Sequence, residues 1–573
     1  MLAPIYEERD PMVQLAEIAT PSSSLEQRLE RLACHKPIWA QLGIESRRAL
    51  LQECLQATVA VAEDWVAAGC AAKGVDPQSP LAGEEWLTGP MSLCRHLRLL
   101  DQALAQQGQP IPPHLSTRPN GQQVADVFPS TRMDRVLWPG IRAQVWIEPG
   151  QPASQGSFYR QKSETAEPPS GSLTLVLGAG NVSSIGPSDA LYQLYVKGSV
   201  VLLKLNPVNS YLRPIFESAL KPLREAGFLA LAQGGAETGS YLCQHKLVDA
   251  IHITGSHHTH DAIVWGSPSE QADRKASGIP LLTKPITSEL GCVTPVLVVP
   301  GHWSEADLTY QARQLASMVA NNASFNCNAA KLVVTARNWP QREAFLTKLR
   351  QEMASIPPRR AYYPGAQHRY QGFLDHYPQA EVLGQTGLDV VPWTLIPDVD
   401  PTQDPYALQT EAFCGILAET SLQVSDSAEF LSQVVPFVNE QVWGSLSCMI
   451  MIDPATEKTV KAELDQAIAN LRYGSVAING WSALLYGLMV TTWGAFPGHS
   501  LTDIQSGQGT ALNCYLFDHP EKSVAWVPFR MAATPPWFAG HRTLHRLAKQ
   551  LTFMEADPSW LKVPGVIAAA LRS

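Results

Sequence analysis

Residues 173–181 read Leu-Thr-Leu-Val-Leu-Gly-Ala-Gly-Asn. The first five predict a buried strand, and the glycine turn that follows ends at Asn181. A helix is predicted from about Ser188 to Val196, and the next strand is predicted at 199–204, Ser-Val-Val-Leu-Leu-Lys. This alternation is typical of a parallel sheet with helices on its faces.

The alternation continues through two more units. A short strand at 229–231 precedes a glycine turn that begins at Gly234, and a strand at 248–253 ends in Thr254-Gly255-Ser256. Ligands of open parallel sheets bind at the carboxyl ends of the strands. We therefore expect a ligand cleft at the four strand ends marked by Asn181, Lys204, Gly235 and Ser256.

The rest of the chain divides by pattern. Helical spacing of apolar residues runs from about 24 to 110, and a second series of alternating strands and helices runs from about 289 to 480. We predict a cofactor-binding domain at 1–135 and 171–288 and a catalytic domain at 289–490. Bridging strands at 136–170 and 511–530 leave the main body as an irregular hairpin. Residues 531–573 form a helical tail.

A candidate nucleophile lies in Ser324-Phe325-Asn326-Cys327-Asn328-Ala329-Ala330-Lys331. Its polar neighbours favour a reactive thiol over the buried structural role that cysteine takes in apolar surroundings. Glu289 and Asn181 precede it in the chain. A thiol, a carboxylate and an amide together suit nucleophilic acyl chemistry on a carbonyl. The plainer alternatives are a surface carboxylate at Glu289 and a turn-stabilising amide at Asn181.

Composition limits the function classes. The 573 residues are 45% hydrophobic and carry a formal net charge of −9, so no basic surface indicates nucleic acid as a partner. No secretory signal and no apolar stretch of membrane-spanning length is evident. The ten cysteines show no paired short spacing, which is typical of reduced thiols. We expect a soluble, cytoplasmic enzyme without membrane partners.

Seven short motifs follow one another in the chain. They are Asn181 after the first strand, Leu203-Lys204, the turn Gly235 to Gly239, Ile253-Thr254-Gly255-Ser256, Glu289-Leu290-Gly291-Cys292, Asn326-Cys327-Asn328-Ala329 and Glu411-Ala412-Phe413. In this order they resemble the aldehyde dehydrogenase superfamily from about residue 25 to 530. Each motif alone is only weakly specific for this superfamily. Seven of them in this order are strongly specific.

The resemblance implies a fold and an activity. The fold is α/β, aldehyde-dehydrogenase-like, with a doubly wound parallel-sheet cofactor domain, a second αβα catalytic domain and a bridging hairpin that serves oligomerisation. The activity is oxidation of a small-molecule aldehyde to a carboxylic acid with NAD or NADP. Because the hairpin and the final strand of this family join subunits, a homodimer or homotetramer is implied.

The resemblance also assigns roles. Catalytic roles fall to Cys327 as nucleophile, Glu289 as general base, and Asn181 as oxyanion donor beside the Cys327 backbone N–H. Cofactor binding falls to seven residues: Lys204 at the adenosine ribose, Gly235 and Gly239 in the turn over the cofactor, Gly255 and Ser256 at the pyrophosphate, Glu411 at the nicotinamide ribose and Phe413 near its ring.

Several positions depart from the family pattern. Cys292 and Cys414 stand where the family has glycine, and residues Asp261 to Gly278 form a polar insertion. Pro207 stands where many members carry an acid that binds the adenosine ribose. The choice between NAD and NADP as cofactor is therefore left open. The tail beyond 535 has no recognised counterpart.

Alternatives remain open at this point. A CoA-acylating reductase of the same superfamily is faintly suggested by Asn206-Pro207, although Glu289 favours water as the acyl acceptor. A catalytically silent binding or scaffold protein is the alternative from another class. The run His257-His258-Thr259-His260 lacks an accompanying ligand set, so we predict no metal site.

Overall fold

The computed structural model describes residues 21–164 and 170–573. The first twenty residues of the predicted cofactor domain and residues 165–169 of the predicted hairpin lie outside this range. The described strands are β1 His114–Thr117, β2 Gln123–Phe128, β3 Arg142–Ile147, β4 Leu173–Leu177, β5 Val200–Lys204, β6 Leu229–Ala232, β7 Ala250–Gly255, β8 Ile286–Leu290, β9 Thr294–Val298, β10 Ala330–Ala336, β11 Glu381–Val382, β12 Thr394–Ile396, β13 Ile416–Leu422, β14 Ser447–Met451, β15 Ser475–Ile478, β16 Gly507–Gln508 and β17 Pro520–Trp526.

Helices cover both faces of the sheets and form the N- and C-terminal parts of the described chain. They are α1 Pro21–Gln41, α2 Ile44–Ala60, α3 Ala62–Lys73, α4 Ala82–Trp86, α5 Ser92–Ala105, α6 Arg132–Leu137, α7 Ser157–Glu164, α8 Ile185–Tyr195, α9 Arg213–Ala219, α10 Lys221–Glu225, α11 Ala236–Gln244, α12 His257–Trp265, α13 Pro268–Ser277, α14 Glu305–Ala320, α15 Arg342–Ser355, α16 Ala366–His376, α17 Tyr406–Gln409, α18 Ser427–Gln441, α19 Pro454–Thr459, α20 Lys461–Asn470, α21 Ala483–Leu488, α22 Leu544–Ala556 and α23 Val563–Leu571. Short turns occupy Leu87–Met91, Pro207–Leu212 and Asn321–Ser324.

The first sheet has six strands in the order β16-β8-β7-β4-β5-β6. The strands from β8 to β6 are parallel, and only β16 pairs antiparallel. Strand β4 is buried along nearly its whole length, as its unbroken apolar run requires. The doubly wound α/β fold that the sequence predicts is confirmed.

The second sheet has eleven strands in the order β1-β2-β3-β17-β15-β14-β9-β10-β13-β12-β11. The strands from β17 to β12 are parallel, while β1, β2 and β3 form an antiparallel meander on one side and β11 pairs antiparallel on the other. The αβα layering expected for 289–490 is present, because helices such as α14 and α18 cover this sheet.

The boundary between the sheets differs from the predicted one. Glu289, expected to open the second series, is the fourth residue of β8 and belongs to the first sheet. The chain crosses to the second sheet at 291–293, and β9 begins at Thr294. The apolar pattern misplaced this boundary because β8 carries a polar sequence, Ile-Thr-Ser-Glu-Leu.

The predicted hairpin of 136–170 is also different in the structure. This region holds the end of α6, strand β3 and helix α7. Instead of leaving the main body, β3 pairs with β17, and β17 pairs with β15 of the same chain. The final strand is shorter than 511–530, because residues 511–519 form turns. The role of these strands in joining subunits stays a prediction.

The C-terminal tail and the polar insertion are both largely helical. The predicted tail of 531–573 holds α22 and α23, which pack on α4, α5 and α6. In the polar insertion, α13 has no buried residue, whereas Asp261 and Trp265 of α12 are buried. Among the described helices, none combines the length and the apolar character that a bilayer crossing requires.

Candidate active site

Cys327 and Glu289 face each other where the two sheets meet. Glu289 lies near the carboxyl end of β8, and Cys327 lies in the turn that leads into β10. The Cys327 thiol donates a hydrogen bond to Glu289 Oε1, with 3.3 Å between Sγ and the oxygen. Glu289 is 2% exposed, and its Oε2 has no hydrogen-bond partner among the described residues. Two segments 38 residues apart thus bring a nucleophile and a base together.

Burial controls the protonation of this pair. Removal from water raises the pKa of Glu289 to about 7, and the neighbouring charge of Glu411 adds to the shift, while contacts with Trp493 and Cys327 oppose it. Burial and the charge of Glu289 hold the pKa of the Cys327 thiol well above its usual range, and Lys331 opposes them. The pair therefore rests as a neutral thiol beside a carboxyl group that titrates near neutral pH.

Lys331 fixes the backbone of the nucleophile turn. It is 3% exposed, and its ammonium group donates to the carbonyls of Asn326 and Cys327, each at 3.0 Å, and to Ala329 at 3.3 Å. It also pairs with Glu411 at 3.2 Å. A buried cation with four oxygen partners holds the nucleophile turn in place and lends it positive charge.

The residues just before the nucleophile adopt an unusual backbone. Asn322, Ala323 and Ser324 have φ angles of 52°, 54° and 68°, a left-handed conformation that costs free energy for residues other than glycine. The Asn322 backbone N–H donates to Glu84 at 3.0 Å, and its side-chain oxygen accepts from Lys73 at 2.9 Å. Charges from α3 and α4 therefore hold this turn.

Asn181 lies against the same turn. Its side-chain amide donates to the carbonyl of Phe325 at 3.0 Å, two residues before the nucleophile. The amide has a second N–H, which remains for another acceptor. The backbone N–H of Cys327 makes no hydrogen bond to any described residue. The second N–H of Asn181 and the backbone N–H of Cys327 thus belong to two residues that line the same cleft, and both remain available to an acceptor there.

A cleft of about 1180 Å³ opens between the two sheets. Cys327, Glu289 and Asn181 all line it. Every residue predicted to bind a cofactor lines it as well: Lys204, Gly235, Gly239, Gly255, Ser256, Glu411 and Phe413. Most come from the carboxyl ends of β5, β6 and β7, as the topology requires.

Lys204 gives the clearest sign that this cleft takes a ligand. The residue is 7% exposed, and within the described part of the chain its ammonium group has no hydrogen-bond or ion-pair partner. Burial lowers the pKa of Lys204. A buried cation without an acceptor is costly, so a ligand oxygen at this end of the cleft fits the site. Nearby, Ser256 caps α12 by accepting from the Thr259 N–H at 3.2 Å.

Glu411 and Phe413 occupy the other end of the cleft. A Cβ atom on Gly291 would lie 1.8 Å from Glu411 Oε2, so glycine at this position lets the carboxylate approach the chain crossing. Cys292, which replaces a second glycine, is buried, and its N–H donates to Glu411 at 3.3 Å. Phe413 packs on Phe325 with 5.8 Å between ring centroids. The departure at Cys292 is thus accommodated without disturbing Glu411.

A second cavity, of about 150 Å³, is also lined by the three predicted catalytic residues. Its other walls are mainly aromatic and aliphatic side chains, including Trp481, Leu484 and Trp493. Because Cys327 borders both spaces, a ligand in the cleft and a substrate in the cavity would meet at its sulfur.

The sequence reasoning missed the groups that support the nucleophile. Lys73, Glu84 and Glu85 lie about 240 residues before the turn that they stabilise, and no local pattern predicts such pairing. Lys331 was visible within the nucleophile motif but drew no prediction. The paired charges in α3 and α4, flanked by apolar residues, were the available signal. His257 and His258 line the cleft, and their rings lie 3.9 Å apart.

Comparisons with known proteins agree with this arrangement. The family model described as "Aldehyde dehydrogenase family" matches residues 176–367, which include Asn181, Glu289 and Cys327. Across this match the chain resembles the aldehyde dehydrogenase superfamily. No curated protein sequence matches the chain.

Solved structures of aldehyde dehydrogenases share the fold of this chain. A γ-glutamyl-γ-aminobutyraldehyde dehydrogenase from Burkholderia cenocepacia has a TM-score of 0.60 at 16% identity, with 89% of this chain and 90% of that chain covered. An NAD-dependent aldehyde dehydrogenase from Sinorhizobium meliloti has 0.58 at 17%, covering 89% and 88%. Aldehyde dehydrogenase C from Pseudomonas syringae, in complex with NAD+ and octanal, has 0.57 at 14%, covering 89% and 90%.

Proposed function

We propose that this aldehyde dehydrogenase homologue oxidises an aldehyde to the corresponding carboxylic acid, with NAD+ or NADP+ as hydride acceptor and Cys327 as nucleophile. The observation that carries the proposal is the contact between Cys327 Sγ and Glu289 Oε1 at the boundary of the two cavities. The overall reaction converts aldehyde, water and oxidised cofactor into carboxylic acid, reduced cofactor and one proton.

The first step forms a bond between sulfur and the aldehyde carbon. The thiol proton passes to Glu289 along the existing hydrogen bond, and the carbonyl oxygen becomes an oxyanion. That oxyanion accepts hydrogen bonds from the free N–H of the Asn181 amide and from the Cys327 backbone N–H. Lys331 favours the thiolate, because its charge lowers the pKa of Cys327.

The cofactor, when bound, supplies the acceptor for the hydride that leaves the thiohemiacetal carbon. Lys204 and Ser256 would hold its adenosine and pyrophosphate part, and Glu411 with Phe413 would hold its nicotinamide end. Among the described residues that line the cleft, the only carboxylates are those of Glu289 and Glu411. Because none lies among the strand-end residues around Lys204, a 2′-phosphate meets no repulsion there, and we propose that NADP+ is accepted as well as NAD+.

The thioester on Cys327 is then hydrolysed. Once Glu289 has released the first proton to solvent, it accepts a proton from the water that attacks the acyl carbon, and the C–S bond breaks as sulfur regains a proton. Burial suits Glu289 to this role, since a carboxyl group with a pKa of about 7 is a stronger base than an exposed one.

The test is aldehyde-dependent formation of NADH or NADPH. We expect Cys327→Ala to lose turnover by roughly 10⁴-fold or more, because no other thiol lines the boundary of the two cavities in the described structure. Cys34→Ala is the matched control, since Cys34 is an exposed thiol on α1. Wild-type turnover in Cys327→Ala would refute the mechanism.

The same assay separates the alternatives. An acyl-CoA product that forms only when CoA is added would identify a CoA-acylating enzyme and remove the role given to water. No turnover of any aldehyde with either cofactor would support a silent binding protein.

A further inference from the structure

Within the described part of the chain, the cavity beside Cys327 offers a substrate no unpaired charge other than that of Glu289. Its charged lining residues are Glu84, Arg95, Glu289 and Glu555. Glu84 pairs with Arg359 at 2.7 Å, and Glu555 pairs with Arg95 at 2.6 Å and also with Arg98. Glu289 belongs to the catalytic pair. A substrate carboxylate or ammonium group would therefore lose its hydration without gaining a partner, which is costly.

Aromatic side chains dominate the rest of the wall. Trp138, Trp481, Trp493 and Trp537 all line the cavity, together with aliphatic side chains such as Leu551. The volume is about 150 Å³. An apolar cavity of about 150 Å³ is large enough to bind benzene. Flat aromatic walls favour a ring, because aromatic pairs gain from offset and edge-to-face contacts.

Part of this wall comes from the tail. Pro536, Trp537, Leu551 and Glu555 all lie in the segment 531–573. Trp537 is 7% exposed and Leu551 4% exposed, so both are firmly packed. The tail is therefore part of the cavity and not an appendage of the fold.

Two contacts fix the tail helix α22 against the body of the protein. A Cβ atom on Gly83 would lie 2.4 Å from Leu544 Cγ, so the helix start rests directly on the backbone of α4. Near its end, Glu555 binds Arg95 and Arg98 of α5, and Arg95 also donates to the carbonyl of Leu488 at 2.9 Å. Despite its burial, these two cations hold the pKa of Glu555 below its ordinary value.

We propose that the tail completes the substrate cavity, that it makes the enzyme selective for uncharged aldehydes with an apolar body the size of one aromatic ring, and that Trp537 and Leu551 are specificity-determining residues. This inference rests on the proposed function, since it names the substrate class of that reaction. It assigns to 531–573 a role in recognition.

The first test compares benzaldehyde with acetaldehyde. In Trp537→Ala, we expect kcat/KM for benzaldehyde to fall roughly tenfold or more, because an aromatic wall is lost, and kcat/KM for acetaldehyde to stay within about twofold. Leu551→Phe, which fills the cavity, should give the same selective loss and serves if Trp537→Ala fails to fold. Lys549→Ala is the control, since Lys549 lies on the exposed side of α22 and pairs with Glu63.

The second test compares pentanal with succinic semialdehyde, which has a similar length but a carboxylate. We expect kcat/KM for the charged aldehyde to be lower by roughly 100-fold or more. Equal kcat/KM values for pentanal and succinic semialdehyde would overturn the inference. An equal loss of kcat/KM for benzaldehyde and acetaldehyde in Trp537→Ala would overturn it as well.

A binding measurement separates this inference from the proposed function. Calorimetry with benzaldehyde uses Cys327→Ala, which cannot form the covalent bond, and the double variant Cys327→Ala, Trp537→Ala. Binding that is lost in the double variant supports the cavity even if the wild type turns over no aldehyde. Turnover without any preference for the ring would leave the proposed function standing and refute the cavity assignment.

Discussion

A neutral thiol held against a carboxyl group is the resting arrangement at Cys327. Burial disfavours both charged forms, so the proton stays on sulfur until substrate binds. The charge of Lys331 and the donors around Asn181 favour negative charge on the sulfur and on the substrate oxygen. Cys327 is therefore not held permanently as an exposed thiolate, which is the form of cysteine that oxidises most readily.

Replacing the base should separate the two half-reactions. In Glu289→Gln, the thiol proton must leave to solvent instead of to Glu289, so we expect a slowed burst of about one reduced cofactor per active site. Steady-state turnover should be slower still, by roughly 10²–10⁴-fold relative to the wild type, because water is not activated. Rapid-mixing absorbance measures both phases. Removing the Glu289 charge also removes one cause of the raised Cys327 pKa, so iodoacetamide should alkylate the variant faster at a fixed pH. Steady-state turnover equal to the wild type would contradict the assignment.

The pH dependence follows from the same carboxyl group. The deprotonated form acts as the base, and its pKa is raised to about 7, so turnover should rise with pH through this value and level off above it. A pH profile of kcat between about pH 3.5 and 8.5 covers this transition and the ordinary carboxyl range. The profile of Glu289→Gln should lack this step. A wild-type step at the ordinary carboxyl value, near about pH 4.3, would show that the base is exposed during catalysis.

At the level of elements, the turn Asn321–Ser324 is held by the N-terminal helices. Its left-handed residue Asn322 is stabilised by Lys73 of α3 and Glu84 of α4, while Lys331 of β10 holds the carbonyls of Asn326 and Cys327 that follow the turn. The placement of Cys327, Glu289 and Asn181 around one cleft was predictable because their motifs are short and ordered along the chain, whereas their catalytic roles stay predictions. The supporting charges were not, because their partners lie hundreds of residues away and only folding brings them together.

Strand predictions show the same division. The long apolar strands β4, β5 and β10 match their predicted positions, because an unbroken apolar run is a strong signal. Strand β2 was missed although Gln123–Phe128 carries apolar residues at intervals, and the predicted domain boundary between 288 and 289 cuts through β8. Short or polar strands form because of their pairing with neighbouring strands in the sheet. These neighbours lie far away in the sequence, so a short stretch of sequence does not reveal them.

The packing of α22 on α4 gives a prediction for Gly83. In Gly83→Ala, the new methyl group would overlap Leu544 and the backbone of His545, so we expect a loss of about 1–3 kcal/mol of stability. Thermal unfolding should show a lower midpoint. Gly540→Ala is the matched control within the tail, since a Cβ atom there meets no heavy atom within 4 Å. An unchanged midpoint in Gly83→Ala would mean that the helix is not held this closely.

At the level of the whole molecule, the cleft lies between the two sheets, and both contribute to its lining. Lys204 belongs to the first sheet, Gly235 and Ser256 follow strands of that sheet, and Glu411 with Phe413 precedes β13 of the second sheet. A ligand that contacts both sides adds to the existing contacts between these parts, such as Asn181 with Phe325 and Glu289 with Cys327. The family and fold follow from the motif order, whereas the tail's place in the cavity wall needed the structure.

Cofactor binding should therefore stabilise the whole protein. At a cofactor concentration of about 100 times Kd, we expect about 2.7 kcal/mol of added stability for either NAD+ or NADP+, seen as a higher unfolding midpoint. Lys204→Ala should reduce the effect of NADP+ more than that of NAD+, because it removes the cation nearest to the proposed 2′-phosphate position. Equal reductions for the two cofactors would place the phosphate elsewhere.

The position of β17 has a consequence for synthesis on the ribosome. This strand lies between β3 and β15, so residues 520–526 join one segment that is translated shortly before them to another that is translated hundreds of codons earlier. Until they emerge, the nascent chain keeps two unpaired strand edges, and such edges are prone to aggregate. Messages that end before this point should yield insoluble fragments, and the growing polypeptide should depend on chaperones until its last tenth has been made.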